Sequence, residues 1–239
     1  MQQSRINNYN LSADMQDYAV SFIAESIISF IKVQGFCSIV LSGGSTPKII
    51  YQKLSTGELS KQINWHKVYF FFGDERAVPF KSDLSNFKMA DDNLFSKIDI
   101  PEVNIHRIRG ESQDLANAAA LYEEEIYDFF VAKKNGKIEF DIMLLGLGSD
   151  GHTASLFPDS NSLNEQNKIV IAVPAPSINP VIKRISLTFK VINRSELIIF
   201  LVSGEEKKSV LTKVINSKSS NPLLPATFVN KEKSIWFIS

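Results

Sequence analysis

Seven strand-length apolar runs recur along the chain, and they constrain its fold more than any other feature of the sequence. Several are apolar at nearly every position, which is typical of strands covered on both faces in a parallel sheet. Between many of them lie longer segments with helical periodicity, such as residues 18–31, where an apolar side chain recurs every three or four positions. The runs occupy residues 36–41, 68–72, 140–145, 168–173, 184–189, 197–202 and 234–239.

This alternation of strands and helices predicts a doubly wound, Rossmann-like α/β fold, with a mostly parallel sheet flanked by helices. A chain of 239 residues is long enough to bury a substantial core. No repeat or low-complexity segment divides it, and "KKNGK" at 133–137 is more typical of a turn at a helix end than of a linker. We therefore predict one domain over 1–239. Further helices are predicted near 47–55, 85–95, 113–133 and 205–216.

The charge balance excludes several classes of partner. The 26 basic residues equal the 26 acidic residues, and neither sign forms a long run, so we expect no nucleic-acid or membrane binding. No apolar stretch approaches the ~20 residues of a membrane span. The polar start "MQQSRINNYN" lacks the apolar core of a signal peptide, and the single Cys37 excludes an internal disulfide framework. We expect a soluble, cytoplasmic protein.

The segments that follow four of the runs are rich in small or charged residues. In open α/β sheets, ligands bind beyond the carboxyl ends of the strands. If these four segments meet at one edge of the sheet, they build a site. In chain order they read "SGGSTP", "GDERAVP", "GLGSDGHTASLFP" and "SGEEKK".

The first segment has the composition of an anion-binding turn. Gly43 and Gly44 let backbone N–H groups approach a ligand, and the hydroxyls of Ser45 and Thr46 donate further bonds. With Thr46 as N-cap and proline at the first helical position, a helix N-terminus here favours phosphate. The segment matches neither the P-loop nor G-x-G-x-x-G, so nucleotide binding is not indicated. An ordinary tight turn between strand and helix is the alternative interpretation.

Three cations stand at the ends of predicted elements. Within "GDER", Arg76 is a candidate for an anion and Asp74 for sugar hydroxyls or the chemistry, although a solvated turn with internal ion pairs is also possible. Because the chain has no net positive charge, a phosphate would need Arg76, Arg184 or Lys207 together with the backbone donors of 43–46.

The three histidines are far apart in sequence and show no metal-ligand spacing, so we expect no metal site. His152 differs from His66 and His106, because it lies in a glycine-rich loop two residues after Asp150. Histidine is the commonest general base. No G-x-S-x-G elbow is present, so a histidine that activates water fits better than a serine triad. Asp150 either orients the imidazole or caps a turn.

These segments together resemble the 6-phosphogluconolactonase family. The resemblance implies an α/β sheet of the sugar-phosphate-isomerase type, no cofactor, and hydrolysis of 6-phospho-D-glucono-1,5-lactone to 6-phospho-D-gluconate in the pentose phosphate pathway. It covers most of the chain. The segments that carry it are "LSGGSTPK", "NWHKVYFFFGDERAVP", "SNFKMADDNLF", "FDIMLLGLGSDGHTASLFP", "RISLTF" and "SGEEKK".

The resemblance also implies roles for the candidate residues. His152 matches the general base, and Asp74 and Asp150 match family positions near the chemistry. The remaining candidates match substrate-binding positions, with Lys207 near the phosphate. These are Gly43, Gly44, Ser45, Thr46, Arg76, Arg184 and Lys207.

Two alternatives stay open at this point. A related glucosamine-6-phosphate deaminase-isomerase shares the G-x-x-x-D-G-H loop, but it needs a carboxylate in an "NEP"-type stretch where this chain has Leu156–Phe157–Pro158. A non-catalytic sugar-phosphate sensor fused to a DNA-binding domain is the second, but no helix-turn-helix or basic face is apparent. For the enzyme we expect a small phosphorylated lactone as partner and a monomer or weak homodimer.

Overall fold

A computed structural model describes residues 5–158 and 160–239. Six of its strands form one sheet in the order β1-β9-β8-β5-β2-β3, and every neighbouring pair in that sheet is parallel. The strands in chain order are β1 (Arg5–Asn8), β2 (Cys37–Leu41), β3 (Val68–Phe72), β4 (Asp74–Arg76), β5 (Ile142–Leu145), β6 (Val170–Val173), β7 (Arg184–Leu187), β8 (Leu197–Val202) and β9 (Ser234–Ile238).

Helices cover the parallel sheet, which explains why its central strands are apolar throughout. Every residue of β2 and of β5 is buried. The helices are α1 (Ser12–Gln34), α2 (Ser45–Thr56), α3 (Asn86–Asn93), α4 (Leu115–Lys134), α5 (Phe189–Ile192) and α6 (Lys208–Asn216). All predicted helices and strands are present, and Asn135, directly after α4, adopts the left-handed conformation that is typical of a turn at a helix end.

The order of the parallel strands contains one reversal. From β2 the chain moves outward to β3, then returns past β2 to β5 and continues the opposite way to β8 and β9. The loops that follow β2 and β5 therefore leave the sheet in opposite directions, and a crevice opens between them. This is the topological switch point, where doubly wound folds bind ligands. The predicted fold class is confirmed.

Two of the seven predicted runs lie outside the parallel sheet. β6 and β7 pair antiparallel with each other, and β7 also pairs antiparallel with β4 in a three-stranded sheet ordered β4-β7-β6. Their apolar side chains join the same hydrophobic core as the parallel sheet, so burial alone does not distinguish the two sheets. The single domain over 1–239 stays a prediction.

Two strands carry no apolar run and were not predicted. β1 reads "RINN" and pairs with β9 at the edge of the parallel sheet, whereas β4 reads "DER" and follows β3 after a single glycine. Backbone pairing rather than apolar periodicity defines both. No helix of the described residues is long and apolar enough to cross a membrane.

Candidate active site

A cavity of about 240 Å³ lies at the switch point, between the carboxyl ends of the parallel strands and the antiparallel sheet. All four polar segments contribute to its wall. Every candidate residue named from the sequence lines it except Asp150, which contacts the imidazole of His152. The candidates on the wall are Gly43, Gly44, Ser45, Thr46, Asp74, Arg76, His152, Arg184 and Lys207.

The glycine loop is tied to α2 at the end of β2 and is left uncapped by the described side chains at the start of the helix. Where β2 ends, the Tyr51 hydroxyl accepts a hydrogen bond from Ser42 N and donates one to Ser42 O, each at 2.9 Å. The predicted N-cap Thr46 is wrong, because α2 begins at Ser45 and Gly44 is the N-cap, with a φ of 111° that favours glycine. Within the described residues no side chain caps this helix start, so its first N–H groups can serve an anion.

Asn86 was not singled out from the sequence, although it lies in a segment that carries the resemblance. It is 1% exposed and lines the cavity beneath the glycine loop. A Cβ on Gly43 would lie 2.0 Å from Asn86 Oδ1, so only glycine fits at this approach. Asn86 Nδ2 donates to Asp74 O at 2.8 Å, whereas Oδ1 has no hydrogen-bond partner among the described residues.

Glu75 fixes the helix that carries Asn86. Its buried carboxylate accepts hydrogen bonds from the backbone N–H groups of Arg76, Asn86 and Phe87, each at 2.8 Å, and from the Ser85 hydroxyl at 2.9 Å. Burial raises the pKa of the Glu75 carboxyl, although these four bonds oppose the shift. An acidic side chain at the start of α3 thus joins that helix to β4.

Two arginines stand directly opposite each other across the antiparallel pair of β4 and β7. Arg76 pairs with Arg184 in the strand register. Like charges at opposed positions repel, so this pair is best satisfied by an anion between the side chains. No carboxylate of the described residues forms an ion pair with either guanidinium.

The two guanidinium groups keep donors for a ligand. Arg76 Nε is buried without a partner among the described residues. Arg184 is 4% exposed and donates to the carbonyls of Ile182 at 2.7 Å and Pro180 at 3.0 Å, which holds the loop before β7 against the cavity. Burial lowers the pKa of Arg184, and the positive charge of Arg76 adds to this while Asp74 opposes it.

The balance of charge in the cavity is positive, although the chain as a whole is neutral. Lys207 ends a short 3-10 helix after β8, lines the cavity half-buried, and has no ion pair within the described residues. Asp74 is the only carboxylate among the described residues on the wall, against Arg76, Arg184 and Lys207. The cavity therefore favours an anionic ligand.

His152 and Asp150 form a directed pair. Asp150 Oδ1 lies 2.5 Å from His152 Nδ1 and also accepts the His152 backbone N–H at 3.1 Å. Burial alone would raise the pKa of Asp150, but its hydrogen bonds and charge interaction with His152 hold the pKa below its usual value. An ionised carboxylate only accepts, so Nδ1 carries the hydrogen of this bond, and in the neutral form of the imidazole Nε2 presents its lone pair. Asp150 thus both caps the turn and orients the imidazole.

The imidazole is enclosed on two further sides. A Cβ on Gly148 would lie 2.1 Å from His152 Nδ1, so this position admits only glycine while the ring keeps its place. The Phe157 ring lies 4.6 Å from the imidazole, measured between centroids. The side chain is therefore held by packing as well as by Asp150.

The comparisons with known proteins fit this geometry. The model of the family "Glucosamine-6-phosphate isomerases/6-phosphogluconolactonase" matches residues 11–236. The chain belongs to this family. Among its relatives, the 6-phosphogluconolactonase of Thermotoga maritima is 35% identical to this chain over 231 residues, which cover 96% of each chain. That of Haemophilus influenzae is 36% identical over 233 residues, covering 97% of this chain and 96% of its own.

Solved structures of the family have the same fold. The crystal structure of the 6-phosphogluconolactonase from Thermotoga maritima matches with a TM-score of 0.84 at 34% identity, covering 98% of each chain. The 6-phosphogluconolactonase from Trypanosoma brucei matches with a TM-score of 0.82 at 27% identity, covering 100% of this chain and 97% of that one. The predicted family is confirmed.

The described part of the chain contains no group of three or more histidine, cysteine, aspartate or glutamate side chains placed to hold a metal ion. His66 and His106 lie outside the cavity, paired with Asp99 at 3.1 Å and Glu125 at 2.7 Å. Of the three histidines, only His152 faces the cavity.

Proposed function

We propose that this protein hydrolyses 6-phospho-D-glucono-1,5-lactone to 6-phospho-D-gluconate. The observation that carries the proposal is the oriented His152–Asp150 pair beside a cavity that an opposed pair of arginines also lines. A base and a pair of cations that line the same cavity suit a substrate with both a carbonyl carbon and a phosphate. The names of the curated relatives supply the identity of that substrate.

In the proposed reaction, His152 Nε2 accepts a proton from water as the water oxygen attacks C1 of the lactone. The carbonyl oxygen becomes an oxyanion. When the tetrahedral intermediate collapses, the bond between C1 and the ring oxygen breaks, and the imidazolium returns its proton to that oxygen. Asp150 supports the positive charge on the ring in between. A lactone is an activated ester, so no covalent nucleophile is needed.

The remaining candidates hold the substrate. Arg76, Arg184 and Lys207 neutralise the phosphate, assisted by the N–H groups and hydroxyls of 43–46. Asp74 keeps lone pairs that can accept a bond from a ring hydroxyl. Binding the phosphate far from C1 orients the carbonyl for attack, so this binding contributes to the rate as well as to affinity.

The deaminase alternative gains no support from the cavity. At the place where that reaction needs a carboxylate, Phe157 packs against the imidazole. The curated relatives quoted above are named lactonases.

The decisive test is a coupled assay with freshly generated lactone, corrected for spontaneous hydrolysis. His152→Ala should lower kcat ~10²- to 10⁴-fold, the usual contribution of a general base, with little change in KM. His66→Ala is the matched control, because His66 also pairs with an aspartate but lies on the surface. Near-normal turnover by His152→Ala would remove the histidine from the mechanism, and ligand binding without turnover by the wild type would favour a sensor.

A further inference from the structure

Ser155, three residues after His152, joins the histidine loop to the antiparallel sheet. Its hydroxyl donates to Asp74 Oδ2 at 2.5 Å, and its backbone N–H donates to Ser186 Oγ at 3.2 Å. Asp74 and Ser186 stand directly opposite each other on β4 and β7. Ser155 therefore bonds both members of one cross-strand pair.

The next pair on the same face of these strands is the arginine pair. Asp74 and Arg76 are two residues apart on β4, as are Ser186 and Arg184 on β7, and such side chains share a face. Two residues of strand span about 6.6 Å. The histidine loop is thus anchored one step along the strands from the groups proposed to bind phosphate.

The backbone beside Ser155 is held in an unusual conformation. Ala154 has a φ of 48°, a left-handed value that L residues other than asparagine and aspartate rarely adopt. Such a residue persists only where its surroundings fix it. On one side the Thr153 hydroxyl donates to Gly146 O at 2.9 Å, and on the other Ser155, 1% exposed, makes its two bonds. Contacts within the protein therefore hold the loop in this conformation.

We propose that Ser155 is a positioning residue that fixes the distance between His152 and the arginine pair. On this basis the enzyme selects lactones whose anionic group lies at that distance from the carbonyl carbon. The inference rests on the proposed lactonase function. Displacing a reacting group by about 1 Å can cost ~10²-fold in rate, so a loop that slips along the strands would impair substrates that must reach both ends.

The test compares two substrates with the variant Ser155→Ala. The kcat/KM for 6-phosphogluconolactone should fall ~10- to 100-fold, while that for unphosphorylated δ-gluconolactone, which has no phosphate to place between the arginines, should change little. The ratio of the two values should therefore fall by the same factor. A serine that merely supports the fold would lower both values alike and leave the ratio unchanged.

Ser195→Ala is the matched control. Ser195 is also fully buried, its hydroxyl has no partner among the described residues, and it does not line the cavity, so its removal should alter neither value. Thermal melts establish that each variant folds. If Ser155→Ala does not fold, Ser186→Ala removes the acceptor of the Ser155 backbone N–H and should also lower the ratio, and Ser186 does not line the cavity.

The outcomes separate the two proposals. Absence of lactone hydrolysis by the wild type would overturn the proposed function and, with it, the role of Ser155. Hydrolysis by the wild type, together with an unchanged ratio in folded Ser155→Ala or Ser186→Ala, would overturn the positioning role alone.

Discussion

The two sheets of this protein build its cavity in different ways. The parallel sheet contributes loops beyond the ends of its strands, and these loops depend on glycines that admit a close neighbour, as at Gly43 and Gly148. The antiparallel sheet contributes side chains from within its strands, where Asp74, Arg76 and Arg184 are placed by pairing register. One wall is shaped by backbone proximity and the other by charge.

This difference predicts different sensitivities. In the loop wall, which the loops after the parallel strands form, a single added methyl group that displaces a neighbouring side chain should lower activity, even though no polar group is lost. The strand wall, which side chains of the antiparallel strands form, should tolerate small changes of shape, because the strand pairing holds the backbone in place. Removing a charge from this wall should weaken substrate binding. Substitutions in each wall can therefore test whether the two walls differ in this way.

The largest effect in this set is expected for Gly148→Ala. The added methyl would lie 2.1 Å from His152 Nδ1 and 2.7 Å from Asp150 Oδ1, so the imidazole must move. We expect kcat to fall ~10²-fold, the cost of a misplaced reacting group. Gly146→Ala is the comparison, because its methyl meets no atom within 4 Å, and it should cost far less. Equal losses in both variants would contradict the role of close packing.

A somewhat smaller effect is expected for Arg184→Ala in the strand wall. Losing one charge-assisted contact of about 1.5–3 kcal/mol should raise KM for the phosphorylated lactone roughly 10- to 100-fold with a modest change in kcat. Arg184→Lys should raise KM less than Arg184→Ala does but should not match the wild type, because lysine keeps the charge and lacks the planar fork of donors. The unphosphorylated lactone serves as the control. If the KM for the unphosphorylated lactone rose equally, Arg184 would not bind the phosphate.

The smallest effect is expected for Ala154→Gly, measured by urea or thermal unfolding. Glycine tolerates the φ of 48°, so relief of strain should exceed the added chain entropy and stabilise the fold by about 1 kcal/mol, or roughly 2–4 °C in Tm. Asn135→Gly, at the end of α4 with a φ of 51°, should gain less, because asparagine already tolerates this region. A destabilised Ala154→Gly would show that the loop backbone is not strained.

Much of the fold and part of the site followed from local patterns. Apolar runs such as 36–41 and 140–145 predicted buried parallel strands, and the carboxyl-end rule then gathered the loops with Gly43, His152 and Lys207 at one edge. Asn86 and Ser155 were missed as individual residues. Nothing local distinguishes a buried asparagine at a helix start from any other, and the partners of Ser155 are 81 and 31 residues away.

The alternation of strands and helices, the family and the histidine loop can be predicted from the sequence alone, because each of these depends on residues close together along the chain. The tertiary structure decided that β6 and β7 leave the parallel sheet, that the polar segment 74–76 becomes a strand, and that Arg76 stands opposite Arg184. Register between strands more than a hundred residues apart is set by the packing of the whole core. Local propensity therefore does not predict this register.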